Sequence, residues 1–335
     1  MMTVSLCVVA YNEELFLPNL LKDLSGQTYP HELTEIVLID GRSTDKTKEI
    51  MEQFKANNES FWSVQVLDNP KRIQAAGWNV AITNAIGDVI IRIDAHTHIP
   101  ADFTEKNMKL QEQGEYVTGG VRPCLIENPT AWKKTLLEVE NSLFGSSISK
   151  SRHSHEKQYV KSMFHAAYRR EVFGKVGLFN EKLLRTEDNE IHYRIREAGY
   201  KLCFDPEIVS FQYARSSLRK MIKQKFGNGY WIGKTLSICP GCVSVYHLVP
   251  MAFVLGIIFT SILSFFGFWQ FGCLMWGAYF FFTVVSTLLT VMKGNGTFWT
   301  VCMPLFFLIL HTSYGIGTIK GLIHGALTIF NRKGD

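Results

Sequence analysis

Apolar strand-type runs and one-sided helices alternate along the first hundred residues. Val4–Ala10 (VSLCVVA) reads as a short strand, followed by a helix over Leu15–Leu24 whose Leu17, Leu20, Leu21 and Leu24 share one face. Gln27-Thr28-Tyr29-Pro30 stops that helix, and Glu35–Ile39 (EIVLI) reads as a second buried strand. A helical pattern over Lys46–Lys55 comes next, with Ser43 or Thr44 as its N-cap. Val64–Leu67, Gln74–Ala85 and Val89–Ile93 continue the series as strand, helix and strand. The alternation predicts an α/β fold, a mostly parallel sheet with helices on both faces. Ligands of such sheets collect at the carboxyl ends of the strands.

Those ends carry the polar residues. Val89–Pro100 (VIIRIDAHTHIP) has four apolar positions broken by one arginine and ends in Asp94-Ala95-His96, with His98 two residues on. An aspartate and a histidine at i, i+2 past a buried strand can face one crevice. A carboxylate with an imidazole suits Mn²⁺ better than Mg²⁺, and either ion would bridge to a diphosphate. The alternative is a polar strand end capped by a turn. Asp40, after the second strand, can accept from an imide N–H or a ribose hydroxyl. Arg72, after Asp68-Asn69-Pro70-Lys71, can meet the same ligand from the next turn. A cation at Asp94 and His96 would offset leaving-group charge as a phosphate-linked bond breaks.

The middle of the chain is read as the acceptor side. Val117–Val121 with Gly119-Gly120 reads as a strand whose glycines let a ligand approach. Gly145–His155 (GSSISKSRHSH) is a lid over the donor, a clamp on an acceptor pyrophosphate, or an ordinary surface loop. Thr186-Glu187-Asp188 opens a helix over Asn189–Ala198, where the helix dipole favours an acidic pair.

Charge and hydropathy change character after residue 207. The first 207 of the 335 residues hold 25 Lys/Arg and 29 Asp/Glu, whereas the remainder holds ten Lys/Arg and Asp335 as its one acid. This asymmetry points to an anionic membrane as partner of the C-terminal part, and no nucleic-acid partner is expected. Arg215–Phe226 (RSSLRKMIKQKF) is a basic amphipathic segment, with Leu218, Met221, Ile222 and Phe226 as its apolar stripe. Three apolar stretches, about 248–268, 271–292 and 298–317, approach or exceed the ~20 residues that cross a bilayer. Three spans would put Lys320, Arg332 and Lys333 outside, against the positive-inside tendency; a re-entrant or interfacial ending over Tyr314–Phe330 would remove the conflict. The seven scattered cysteines read as reduced, including the isolated Cys239-Pro240-Gly241-Cys242, and no N-terminal signal peptide is visible.

Taken together, Ala10-Tyr11-Asn12-Glu13, Gln27-Thr28-Tyr29-Pro30, Asp40-Gly41-Arg42-Ser43-Thr44-Asp45 and Asp94-Ala95-His96 resemble family 2 glycosyltransferases of the GT-A fold. More narrowly, the set resembles membrane-attached members that build bacterial exopolysaccharide on a lipid carrier, the succinoglycan-type glucosyltransferases. The resemblance covers about residues 3–235. It implies that Ala10, Tyr11, Glu13 and Asp40 contact the nucleotide and that Asp94-Ala95-His96 stands for the DxD element, His96 replacing the second acid. Gly41 stands where many members place another aspartate. Thr186-Glu187-Asp188 matches the family's TED element, which assigns the catalytic base to Asp188 and leaves Glu187 to orient the acceptor or a neighbouring loop. Gln224–Trp231 lies where processive synthases carry QxxRW, and the Arg-Trp pair is missing at that spacing.

The resulting expectation is a GT-A domain over 1–210 (donor half about 1–100, acceptor half about 101–210), an interface segment over 211–246 and a transmembrane region over 247–330. It would be a multi-pass inner-membrane enzyme with its catalytic domain in the cytoplasm. It would use Mg²⁺ or Mn²⁺ to move one sugar from a nucleoside diphosphate sugar to a polyprenyl diphosphate-linked saccharide with inversion. A processive polysaccharide synthase and a catalytically silent membrane scaffold are the alternatives. Asp40, Asp94 and Asp188 are expected to meet around one cleft that opens near the lipid surface.

Overall fold

The computed structural model describes residues 1–142, 144–145, 156–215 and 217–332. They form two compact units, Met1–Leu125 with Ser151–Tyr213, and Ile126–Lys150 with Ala214–Asp335. The expected lid or clamp falls largely on residues 146–155, outside the described residues.

In the first unit the predicted alternation is present: β1 (Val4–Ala10), α1 (Leu17–Ser25), β2 (Thr34–Asp40), α2 (Thr47–Ala56), β3 (Ser63–Asp68), α3 (Gln74–Asn84) and β4 (Val89–Asp94). Short β5 (Thr97–His98), α4 (Phe103–Glu112), β6 (Val117–Val121) and β7 (Cys124–Leu125) follow. In chain order α5 (Ala131–Asn141) then belongs to the second unit, after which come β8 (Gln158–Val160), β9 (Ala167–Arg169), α6 (Arg170–Val176), α7 (Glu187–Glu197), β10 (Leu202–Val209) and β11 (Phe211–Tyr213). The main sheet runs β3-β2-β1-β4-β9-β6-β10-β8, and β5-β11-β7 make a small second sheet. The first four strands are parallel, and β9 enters antiparallel between β4 and β6.

Alternation along the strands sorts the core into two layers. Val4, Leu6, Val8, Ile36, Leu38, Ile91 and Ile93 pack against α1, α2 and α4 through Leu17, Leu20, Met51 and Phe103. Cys7, Val37, Ile39 and Ile90 face the other way, onto Trp78 of α3, Val172 of α6 and Ile191 and Ile195 of α7. Arg92 shares that second face, since it lies opposite Cys7 in the β1–β4 ladder. The glycines of β6 differ from expectation. A Cβ on Gly120 would collide with the Asp205 and Ile208 carbonyl oxygens, and one on Gly119 with Met163 Sδ. The protein's own residues therefore make the close approach there, and no ligand is needed to explain it.

The second unit holds α5, α8 (Leu218–Leu236), α9 (Val249–Phe265), α10 (Trp269–Met292) and α11 (Met303–Arg332). Three segments, Val245–Phe265, Trp269–Met292 and Phe298–Thr328, are long and apolar enough to cross a membrane. The third is longer than the sequence pattern indicated, because α11 continues unbroken through the glycine-rich stretch where a re-entrant ending had been an option. Those glycines have a packing role: Cβ atoms on Gly229 and Gly233 of α8 or on Gly317 and Gly321 of α11 would strike backbone of the opposite helix. α8 is thus the partner of α11 in addition to being basic on its exposed residues Arg219, Lys220 and Lys223. Leu136 and Val139 of α5 join Met221 of α8 and Met303, Phe306, Phe307 and Leu310 of α11 in a separate core. Cys239 and Cys242 form a disulfide, correcting the expectation that all cysteines are reduced; the Pro240-Gly241 turn brings their Cα atoms to 5.5 Å.

Candidate active site

The parallel register brings the loop residues level with one another. Ala10 lies opposite Asp40, Asp40 opposite Asp68, and Val9 opposite Asp94. Among the described residues six non-glycine positions have left-handed backbone, and five of them, Asn12, Arg42, Arg72, His165 and Thr186, sit in the loops at this edge. Such residues cost about 1–3 kcal/mol each and persist only where their surroundings fix them. The Asn12 side chain accepts from the Thr44 amide at 2.8 Å, and its own amide donates to Ser43 Oγ at 3.0 Å. The Glu13 and Glu14 amides donate to Thr47 and Asp45 side chains. Gly41 is pinned between them, a Cβ there lying 3.2 Å from both the Ala10 oxygen and Tyr11 Cβ. The first two loops are therefore one hydrogen-bonded body, from which half-exposed Tyr11 projects. Arg72, exposed, follows β3.

Asp94 ends β4 and is met from three sides. His165 Nε2 lies 3.2 Å from its Oδ2, Arg122 Nη1 3.9 Å from the same oxygen, and Gln74 Nε2 3.4 Å from Oδ1. Burial alone would raise this carboxyl, but the His165 hydrogen bond and the charges around it, Arg92 among them, hold it far below the usual carboxylate range. Burial holds His165 itself down, in the neutral form. Its Nε2–H then donates to Asp94 while Nδ1 accepts from Ser210 Oγ at 2.8 Å. Arg122 stacks on the Phe164 ring, 3.4 Å from the centroid. His96 Nδ1 lies 3.1 Å from Glu13 Oε1, so β1's loop orients the imidazole.

A second cluster lies on the same face. Arg92 Nη2 is 3.6 Å from Glu187 Oε1, both side chains being under a tenth exposed. Asp94 and Asp188 also act on the Arg92 charge. Burial, then the neighbouring Asp188, push the Glu187 carboxyl up to about 7 against the pull of Arg92. Asp188 stays partly open and accepts from the Asn189 amide at 2.8 Å.

The structure thus sets Glu187 against Arg92, with Asp94 and Asp188 within electrostatic reach of the same guanidinium, and His96, held by Glu13, within reach of Asp94. It leaves Asp40 apart. Asp40 follows the Ile36 and Leu38 side of its strand, opposite to the face Asp94 shares with Arg92. It lies two strands away, roughly 10 Å, is 1% exposed, and its carboxylate accepts from the Ser43 amide at 3.2 Å. Arg92, Arg122 and His165 were not singled out from sequence. A charge inside an apolar strand and a histidine before a buried one were the available signals.

His192, one turn beyond Asp188, is fully buried between Tyr168 Oη (2.8 Å) and Ser162 Oγ (3.0 Å). Burial pushes it down to about 3 from 6.5. The unfolded chain takes up this proton below 6.5 and the folded chain does not until about 3. The stability it contributes is therefore complete above 6.5 and declines as pH falls through that window. His192→Gln should flatten the dependence of the urea midpoint on pH between 6.5 and 4 by up to one proton, about 1.4 kcal/mol per pH unit. An unchanged slope contradicts this.

The donor set fits a substrate-borne cation. Among the described residues no three His, Cys, Asp or Glu side chains gather into a cage. Asp94 and His96 could supply two ligands to a Mg²⁺ or Mn²⁺ ion that takes the rest from a diphosphate and water.

A family model described as glycosyl transferase family 2 matches residues 5–177. A Methanococcus voltae protein, dolichyl N-acetyl-alpha-D-glucosaminyl phosphate 3-beta-D-2,3-diacetamido-2,3-dideoxy-beta-D-glucuronosyltransferase, is 27% identical over 97% of this chain and 98% of its own length. Succinoglycan biosynthesis protein ExoA of Rhizobium meliloti is 29% identical over 83% and 86%. A mannosyltransferase of Pyrobaculum calidifontis, solved with GDP-Man and Mn²⁺, has a TM-score of 0.62 at 17% identity, covering 95% of this chain and 87% of that one. That likeness shows the GT-A fold.

Proposed function

The chain belongs to glycosyl transferase family 2 and is a glycosyltransferase, and from that premise we propose that it moves one sugar from a UDP-sugar to a lipid-linked saccharide with inversion. The observation that carries this reading is the gathering of Asp94, Glu187 and Asp188 about Arg92. Asp94 and His96 would hold the divalent cation, which when bound neutralises charge gathering on the nucleoside diphosphate leaving group. Ala10, Tyr11, Glu13, Asp40 and Arg72 form the nucleotide side. Asp188 takes the proton of the incoming hydroxyl as its oxygen bonds to the anomeric carbon, while the bond from that carbon to the diphosphate breaks and its electron pair leaves with the diphosphate. A single displacement needs this one base.

The lipid-linked acceptor is supported by the three apolar helices and by the full-length likeness to a relative whose name specifies a dolichyl phosphate sugar. Membrane attachment with the catalytic unit on the cytoplasmic, anionic side is supported by exposed Arg219, Lys220 and Lys223 of α8.

The test is incubation of membranes containing the enzyme with a panel of labelled nucleotide sugars, with Mn²⁺, Mg²⁺ or chelator, followed by lipid extraction and assignment of the new anomeric centre. One UDP-sugar should label the lipid fraction, one residue per acceptor, with the anomer opposite to the donor's. No transfer from any donor with any metal, or retention at the anomeric carbon, overturns the reading. Glu13→Gln, which loosens His96, should raise the Mn²⁺ concentration for half-activation by about 10–100-fold. An unchanged metal titration removes His96 from the ligand set.

A further inference from the structure

Arg92 is an anomaly in its own strand. Val89, Ile90, Ile91 and Ile93 are apolar and buried, and Arg92 is buried with them. Its guanidinium lies 4.9 Å from the Trp78 ring centroid and 5.6 Å from that of Phe179. These rings favour the cation electrostatically and keep it from swinging into water. Nε and Nη1 make no hydrogen bond with the described residues, and Nη2 forms an ion pair with Glu187 Oε1 at 3.6 Å. Thr186, just before Glu187 opens α7, takes a left-handed backbone with φ of 68°. That conformation is unusual for a β-branched residue.

We propose that Arg92 is a positioning residue that holds the Glu187 carboxyl against β4, so that Asp188 alone serves as the base. This rests on the role given to Asp188 above. The charged and titratable groups facing Glu187 are Arg92 and Asp94 from β4 and Asp188 from its own helix, with Tyr168 of β9 against Arg92. Glu187 and Arg92 balance each other's charge beside Asp188. Without the Glu187 charge, Arg92 would act on Asp188 unopposed and weaken its hold on the hydroxyl proton. Glu187 itself neither gains nor loses a proton in the transfer.

The test uses the full chain purified in detergent, with the donor and acceptor identified by the membrane assay. Glu187→Gln removes the charge without changing the size of the side chain. It should fold as the wild type does, keep its donor KM within about twofold and lose about tenfold in kcat. Arg92→Lys, which retains the charge, should stay closer to the wild-type kcat than Glu187→Gln does; if it fails to fold, Glu187→Gln alone decides. Wild-type kcat in Glu187→Gln, or a loss confined to donor KM, overturns the inference. Asp188→Asn separates the two readings. If it is inactive while Glu187→Gln behaves as wild type, only the present inference falls; if it is fully active, the base assignment falls and takes this inference with it.

Discussion

Asp188→Asn should lower the rate of sugar transfer by about 10²–10⁴-fold, the contribution of a positioned general base. Asparagine has the same shape, and its side-chain oxygen can still accept from the Asn189 amide as Asp188 does at 2.8 Å. What it cannot do is take a proton. The structural penalty is small by comparison. The first turn of α7 carries Glu187, Asp188 and Glu190, and removing one charge from a helix N-terminus costs about 0.3–1 kcal/mol. The expected loss of turnover corresponds to about 3–5 kcal/mol of barrier. A variant that melts with the wild type, binds donor with the wild-type KM and transfers a thousandth as fast would locate the defect in the chemical step. Retention of more than a tenth of the activity would move the base elsewhere, with Glu187 the next group to test. Labelled-donor transfer in membranes, read with a melting curve of the purified protein, makes the measurement.

The parts of the fold that could be read from sequence are those with a local signal. β1 and β2 hold apolar runs of four or more residues, and β4 is apolar but for Arg92, so Asp94 at the end of β4 is visible without a structure. The acidic start of α7 is likewise a local feature. What escaped depends on distant pairing. β9 is three residues long, too short to carry a pattern, yet its antiparallel entry beside β4 brings His165 to Asp94. The partner of Arg92 arrives from α7, and nothing around Val89–Asp94 announces it. The displacement of Asp40 follows from register: Asp40 pairs with Ala10 but Asp94 with Val9, and a one-residue offset on a pleated strand reverses the side chain. α5 was assigned with the sheet domain because it lies between sheet strands in sequence; its apolar face instead meets α8 and α11. Hydropathy marked the C-terminal spans well but treated their glycines as neutral filler. They are the contact surface.

Gly321→Leu should unfold the α8–α11 pair. A Cβ at this position would drive into the Tyr230 carbonyl and lie 3.0 Å from the Lys234 amide nitrogen, and the reciprocal position Gly233 would press on Leu322 N at 2.7 Å. Both obstacles are backbone, so no rotamer change relieves them and the helices must move apart. Close approach of this kind supplies much of the attraction between helices that lipid would otherwise solvate equally well. Forcing extra methylenes into a packed interface costs about 1–3 kcal/mol, a figure Gly321→Ala should show and Gly321→Leu should exceed. Against a total stability of roughly 5–15 kcal/mol, the leucine variant should be depleted from the monodisperse fraction on size exclusion and cut faster by protease in detergent. Gly277→Ala is the control. Gly277 lies in α10 with open space around its Cβ position, so a methyl group there should leave extraction and proteolysis unchanged. Equal behaviour of Gly321→Leu and Gly277→Ala would mean that α8 and α11 do not depend on glycine contact. The basic α8 would then be held by its charges alone, and raising the salt concentration should release it where it leaves a glycine-packed pair intact.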